Sequence, residues 1–257
     1  MNAVGAKKGL GQHFLIDKNI ARKIVGCLVP GNFNSLIEIG PGTGMLTQYI
    51  LEHDFPGFTC VELDKESIQY LTDHYPQHRD KFVYGDFLAY PVDRHKGPVA
   101  LIGNLPYFIS SQIFFKVLEH RGQINQVVCM IQKEVAERIT AKPGNKTYGI
   151  LSVLLQAYYN IEYLFTVHEN CFVPRPKVKS AVIRLTRNTT KELNCRHEVF
   201  HKIVKGTFNQ RRKVIRNSLK SIFLNLPEGN DMLSKRPEQL TVNEFAELAR
   251  ILDILNT

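Results

Sequence analysis

The chain is short of cysteine, of acid and of long apolar runs, and each shortage excludes something. Its five cysteines (Cys27, Cys60, Cys129, Cys171 and Cys195) are odd in number, scattered, and include no C-x-x-C pair. That spacing supplies neither a zinc-ligand set nor a disulfide framework, and it suits a reducing compartment. No apolar run approaches the ~18 residues that a membrane-spanning helix requires. The N-terminal segment has no apolar core of a secretory signal, so a cytoplasmic location without a membrane partner is expected. Acids number 24 against 33 Lys and Arg, which leaves a net charge of +9 and a pI near 9.3. A basic globular chain suits a polyanionic partner, although charge alone speaks only of non-specific attraction. At 257 residues, 44% hydrophobic and 22% charged, the chain is globular rather than disordered. It can hold one large or two modest domains.

What is present is organised around Leu36-Ile-Glu38-Ile-Gly40-Pro41-Gly42-Thr43-Gly44. A short apolar run ends in glycines at alternate positions, and Met45, Leu46, Tyr49 and Ile50 follow at helical spacing. That order reads as strand, tight turn, helix, the opening unit of a nucleotide-binding α/β sheet. Glycines remove side chains where a ligand presses on backbone, and the helix that follows offers free N–H groups. A dinucleotide fingerprint would place its third glycine where this chain has Met45. The pattern E-x-G-x-G-x-G instead resembles the first motif of the S-adenosylmethionine-dependent methyltransferases, in which the loop packs on the amino-acid part of the cofactor. A glycine-rich turn without a ligand is the alternative.

Phe58–Asp64 reads as a second strand ending in acids. Glu62 stands 20 positions after Gly42, about where such sheets place a carboxylate that accepts ribose hydroxyls; otherwise it is a solvated strand end. Asp64 suits the cap of a helix through Ile68 and Leu71. Phe82–Phe87 is a third strand, and its Asp86 either accepts a hydrogen bond from an adenine amine or caps a turn. Val99–Gly103, Gln126–Ile131, Ile161–Val167 and Ala181–Leu185 bring the expected strands to seven. Helices are expected from Ser110 or Ser111 onward and across Tyr148–Tyr159. Strands alternating with helices predict a mostly parallel sheet covered on both faces.

Ahead of the sheet, residues 1–16 form an arm with Lys7 and Lys8 among glycines, flexible or ordered by a ligand. His13 in this arm reads locally as a histidine in a surface turn. Asp17 suits the cap of a helix through Ile20, Ile24 and Val25. Past Arg187 the strand-like runs stop. Between Arg196 and Lys220 eight basic residues face one acid, Glu198, while Phe200, Ile203, Val204, Phe208, Ile215 and Leu219 give an apolar face. The expected division is an α/β domain over 1–187 and a small all-α domain with a basic surface over 188–257.

Asn104-Leu105-Pro106-Tyr107, at the end of the fourth strand, is the most specific tetrapeptide in the chain. It resembles the N-[L/P]-P-[YF] element of methyltransferases that act on exocyclic amines of bases. An adenine N6 lone pair is delocalised into the ring and attacks poorly. As that nitrogen accepts a methyl group it becomes cationic, and its N–H bonds become better donors. The Asn104 side-chain oxygen and the Leu105 carbonyl can accept them and so stabilise the transition state more than the ground state. Pro106 restricts Leu105 to an extended conformation. Tyr107 offers a stacking face worth ~1–3 kcal/mol. A strand-to-helix turn with a buried tyrosine is the bland alternative. No metal is called for.

Six segments are distributed along nearly the whole chain: Gly11–Asp17, Glu38–Gly44, Val61–Asp64, Gly103–Tyr107, Phe172–Ser180 and Phe208–Lys213. They resemble the KsgA/RsmA family of small-subunit (16S) ribosomal RNA adenine dimethyltransferases. The resemblance implies a Rossmann-like class I sheet of seven strands with a helical C-terminal domain that binds ribosomal RNA. It implies methyl transfer from S-adenosyl-L-methionine to N6 of two adjacent adenosines near the 3′ end of 16S rRNA in the 30S subunit, late in ribosome biogenesis, by a monomer. Residue by residue it implies cofactor contacts from His13, Leu15, Gly40, Gly42, Glu62, Asp86 and Asn104. Target-base handling falls to Asn104, Leu105, Pro106 and Tyr107, with Phe172 as a second stacking face. The family often has asparagine where this chain has His13, so a main-chain contact there would survive and a side-chain amide contact would not.

Lys7, Lys8, Lys142, Lys146, Arg211, Arg212 and Lys213 are the candidates for phosphate contacts, or else parts of an ordinary solvated basic face; Arg212 could instead brace the packing of the domains. An Erm-type enzyme acting on large-subunit rRNA shares the glycine loop and the N-[L/I]-P-[YF] element. Phe208–Lys213 followed by Val214–Leu219 favours the small-subunit reading. A non-catalytic nucleic-acid-binding protein on the same scaffold would show decay of Asn104–Tyr107, and here that element is intact.

Overall fold

A strand covered on both faces needs residues that tolerate burial at every position, and Ser35–Ile39 and Val99–Gly103 are buried throughout. They form the centre of the sheet. The structure, a computed structural model, describes residues 4–7, 9, 11–190 and 193–256. In chain order come β1 (Phe14–Leu15), α1 (Lys18–Val25), β2 (Ser35–Ile39), α2 (Thr47–Glu52), β3 (Thr59–Glu62), α3 (Lys65–His74), β4 (Phe82–Tyr84), β5 (Val99–Asn104) and α4 (Ser110–Glu119). Then follow β6 (Ile124–Gln132), α5 (Lys133–Thr140), α6 (Ile150–Gln156), β7 (Tyr159–Val167), β8 (Phe172–Val173), β9 (Ser180–Arg187), α7 (His197–Asn209), α8 (Ile215–Leu219) and α9 (Val242–Leu255).

Seven strands share one sheet in the order β4-β3-β2-β5-β6-β9-β7. Neighbours from β4 through β6 are parallel, and β6 pairs with β9 antiparallel. The sequence order reverses between β2 and β5, and a parallel sheet opens a crevice at such a point beyond its carboxyl ends. Alternate residues of the strands face one way. Ala100, Ile102, Val128, Met130 and Val182 join Ala21 and Ile24 of α1 and Tyr49 and Ile50 of α2 in one core. Leu101, Val127, Cys129 and Ile131, the alternate residues, are buried as well. The sheet is therefore covered on both faces, as the sequence predicts.

The chain divides into two compact units, 1–136 with 161–187, and 137–160 with 188–257. The division expected at 187 thus misses that residues 137–160 belong with the C-terminal helices. The reason is α6, whose Leu151, Val153, Leu154 and Leu155 are buried and which packs with α7 and α9. In the same unit Phe200, Ile203 and Val204 of α7 and Phe245, Leu248 and Leu252 of α9 are buried. Thr241 and Glu244 close a capping box at the start of α9.

Asp17 and Asp64 cap α1 and α3 as expected. Three local expectations change. The helix expected over Tyr148–Tyr159 is confined to Ile150–Gln156, and Tyr159 already begins β7. Neither Ser110 nor Ser111 caps α4; Ile109 holds that position, and Ser110 Oγ donates to the Tyr107 carbonyl at 3.0 Å. β1 and β8, each of two residues, form a small antiparallel pair that no local periodicity announces.

Gly103 shows how tightly the centre is built. A Cβ there would sit 2.6 Å from the Ile39 carbonyl oxygen, a backbone atom that cannot swing aside. Gly103→Ala should lower the unfolding free energy by ~1–3 kcal/mol through overpacking. Urea unfolding checks this, and an unchanged midpoint would contradict the close approach.

Candidate active site

The carboxyl ends of β2, β3, β4 and β5 open into a cleft. Its lining draws on the arm (Gly11–Leu15), the glycine loop, Glu62, Leu63, Asp86, Phe87 and Asn104–Ile109. Of the cofactor residues expected from the sequence, His13, Leu15, Gly40, Gly42, Glu62, Asp86 and Asn104 all meet here.

The three loop glycines have φ of 64°, 55° and 79° at 40, 42 and 44, where L side chains are strained. Their surroundings separate their tasks. A Cβ on Gly42 would lie 2.9 Å from the Phe14 ring, and one on Gly44 would lie 2.9 Å from Leu71. These two are glycine because protein packs against them. A Cβ on Gly40 would meet nothing within 4 Å. Gly40 therefore leaves bare backbone beside the cleft, a cradle that any side chain would fill.

Glu62 spans the loop. Its Oε2 accepts from the Gly42 N–H at 2.9 Å and its Oε1 from the Asp64 N–H at 2.8 Å. Each oxygen keeps a lone pair for a ligand hydroxyl. Burial raises its carboxyl pKa, and the Asp64 and Gly42 N–H donors offset only part of that. Asp86 caps a turn, its Oδ1 accepting from the Leu88 N–H at 2.8 Å, and the residue is also exposed on the cleft. The turn that carries it is gripped by Lys116 of α4, whose Nζ donates to the carbonyls of Leu88 at 2.8 Å and Tyr90 at 2.7 Å. Nothing in the sequence marks Lys116 for that task, since the grip closes over more than twenty residues.

Asn104 is held by the arm. Its Nδ2 donates to the His13 carbonyl at 2.9 Å, which leaves Oδ1 as the other branch of the amide. The His13 main chain is thus engaged with Asn104, a bond that does not depend on the side chain at position 13. The His13 imidazole is not a free surface group: its Nδ1 donates to the Pro174 carbonyl at 2.7 Å, and the ring lies 5.5 Å from that of Tyr107. Pairing of Phe14 with Val173 and Leu15 with Phe172 fixes this arrangement. Tyr107 in turn exchanges a hydrogen bond with Ser180 Oγ at 2.7 Å, and burial raises its phenol pKa. Ser180 ends the proline-rich segment, and only the folded sheet brings it to Tyr107. Leu105 is 1% exposed and its N–H donates to the Met130 carbonyl at 3.0 Å, so its side chain anchors the tetrapeptide in the core.

Three expected site residues are placed otherwise. Phe172, expected as a second stacking face, is 2% exposed, belongs to the core and does not line the cleft. Strand alternation turns Phe172 inward and its neighbour Val173, 55% exposed, outward. Lys7, expected on phosphate, pairs with Asp64 and, at 3.0 Å, with Glu66. Lys8 lies outside the described residues. Arg211 is half-buried, donates to the Asn145 carbonyl at 3.3 Å and sits 3.7 Å from Glu238, so it braces the helical unit. That brace ties the Lys142–Lys146 loop to its segment. Lys142, Lys146, Arg212 and Lys213 of the same unit are exposed. Among the described residues no group of three His, Cys, Asp or Glu could hold a metal, and no helix is long and apolar enough to cross a membrane.

This architecture is that of the class I S-adenosylmethionine-dependent methyltransferases. The crystal structure of a dimethyladenosine transferase from Plasmodium falciparum has the same fold, with a TM-score of 0.76 at 23% identity over 92% of this chain and 96% of that one. The crystal structure of the 23S rRNA methyltransferase ErmE matches with a TM-score of 0.67 at 25% identity, over 92% and 99%. The model of the ribosomal RNA adenine dimethylase family matches residues 4–256, and the chain belongs to that family. A ribosomal RNA small subunit methyltransferase A from Cytophaga hutchinsonii is 53% identical over 255 residues, 98% of this chain and 99% of the relative.

Glu38 at the end of β2 is 1% exposed and accepts from Thr47 Oγ1 at 2.8 Å and from Cys60 Sγ at 3.4 Å. Burial outweighs both donors and raises its carboxyl from 4.5 to about 7. The folded chain then holds this proton to higher pH than the unfolded chain does. The stability it contributes is complete below about 4.5 and is lost as pH rises to about 7. Glu38→Gln should remove a loss on the order of 3 kcal/mol between pH 4.5 and 7. Urea unfolding at pH 5 and pH 8 compares the two proteins, and equal losses would contradict the shift.

Proposed function

We propose that the chain transfers methyl groups from S-adenosylmethionine to N6 of two adjacent adenosines near the 3′ end of small-subunit ribosomal RNA, in immature 30S particles, giving N6,N6-dimethyladenosines. The observation that carries this reading is the Asn104 amide, fixed by the His13 carbonyl beside Tyr107 at the strand-order reversal.

The cleft residues fit the cofactor. Gly40 offers a bare backbone surface, and Glu62 and Asp86 present acceptors on neighbouring strand ends for hydroxyls and an exocyclic amine. When bound, S-adenosylmethionine supplies a methyl group on a positively charged sulfur. The chain's own residues handle the base. Asn104 Oδ1 accepts from the amine, because the bond from Nδ2 to the His13 carbonyl orients the amide. The Leu105 carbonyl is the second acceptor, and Pro106 keeps it extended. These acceptors strengthen as the nitrogen becomes cationic, so they favour the transition state. Tyr107 stacks on the base with its hydroxyl held by Ser180, and the adenosine must leave its own stack to enter. The surplus proton passes to water.

The small-subunit target is supported by the 53% identity to a small-subunit enzyme against 25% to ErmE. Unmethylated 30S particles with S-adenosylmethionine should yield dimethyladenosine by mass spectrometry of the RNA. Asn104→Ala should lower kcat by ~10²–10³, with a smaller loss of cofactor affinity by calorimetry. No transfer to 30S by the folded wild-type chain, or transfer to large-subunit RNA instead, would overturn the target. Equal losses for Asn104→Ala would mean that the residue chiefly holds cofactor.

Lys142, Lys146, Arg212 and Lys213 in the helical unit are the phosphate contacts of this reading. Contacts of that kind position RNA and make affinity depend on salt. Replacing Arg212 and Lys213 with Gln should weaken 30S binding and reduce the salt slope by about two. A salt titration with an unchanged slope would remove both from the interface.

A further inference from the structure

Phe108 has no task in the chemistry above. It follows Tyr107 directly, lines the cleft and is 58% exposed. An exposed phenyl ring forgoes ~25 cal/mol for each Å² of apolar surface it leaves in water. The arm passes close to it: a Cβ on Gly11 would lie 2.9 Å from Phe108 Cδ1, so only bare backbone fits there. Tyr107 contrasts with it, being half-buried and tied through its hydroxyl to Ser180. Two consecutive aromatic rings therefore stand at the cleft, one fixed inside and one presented to solvent.

The proposed reaction, on which this inference rests, takes one adenosine out of its stack while the next waits outside. Removal of the first leaves the second without a stacking neighbour on that side. We propose that Phe108 supplies the missing neighbour: its ring stacks on the purine adjacent to the one in the cleft and holds the strand for each methylation. Stacking of this kind needs a π-face and tolerates any base. Phe108 is then a positioning residue for the RNA strand, without a part in methyl transfer itself.

The test compares wild type with Phe108→Ala, Phe108→Leu and Phe108→Tyr. The measurements are KM and kcat on unmethylated 30S particles and the calorimetric Kd for S-adenosylmethionine. Ala and Leu should each raise KM for the particle roughly tenfold while kcat and cofactor Kd stay within about twofold, and Tyr should match wild type. Leu performing as well as Phe would overturn the proposal, because apolar bulk without a π-face would then suffice. A cofactor Kd that rises in step with KM would also overturn it, because the ring would then be packing the arm over the cleft. Methyl transfer by the wild-type chain reports on the functional reading, and the ratios among variants report on Phe108.

Discussion

In the proposed reaction, the hydrogen bond from Asn104 Nδ2 to the His13 carbonyl decides which end of an amide faces the substrate. A primary amide is donor on one branch and acceptor on the other. With one N–H held by the arm the amide is oriented, and in the proposed reaction its oxygen is the branch turned to the base. An acceptor helps an amine that is becoming cationic, and a donor would oppose it. The immediate surroundings of His13 keep it in place. Its ring nitrogen is bonded to Pro174, its neighbours pair with β8, and Phe14 lies over Gly42. The glycine loop thus has two partners, an arm that packs on it and an open cleft that it lines.

Burial sets the electrostatic character of this corner. Glu38 and Glu62 are both carboxyls withdrawn from water, and burial raises the pKa of each. Glu62 is partly compensated by backbone N–H donors from the loop and from the start of α3, which lock the ends of β2 and β3 together. Asp64 goes the other way. Burial pushes its pKa up, but Lys7 and Ser67 together hold it below the ordinary carboxylate value. A lysine that looks like a phosphate contact in the sequence therefore ties the arm to α3.

Much of the sheet was legible because buried parallel strands are continuous apolar runs and their terminal acids and glycines are sharply placed. The seven strands, the caps Asp17 and Asp64, and the meeting of Gly40, Glu62, Asp86 and Asn104 all follow from such local signals. Contacts that close over long distances in the chain left no local trace. Ser180 on Tyr107, Pro174 on His13 and Lys116 beneath the Asp86 turn are of that kind. Phe172 shows the opposite error. Its motif named the residue, but the pleat of a two-residue strand decided that its ring points into the core. The assignment of residues 137–160 to the helical unit was hidden too, since an apolar helix does not declare which core it joins.

The proposed chemistry turns on the orientation of one side chain, that of Asn104. A crystal structure of the chain with S-adenosylhomocysteine and adenosine tests it most directly. The adenosine N6 should lie within about 3 Å of Asn104 Oδ1, with Nδ2 still on the His13 carbonyl. An amide released from His13 with Nδ2 toward the base, or a base seated away from Asn104, would contradict it.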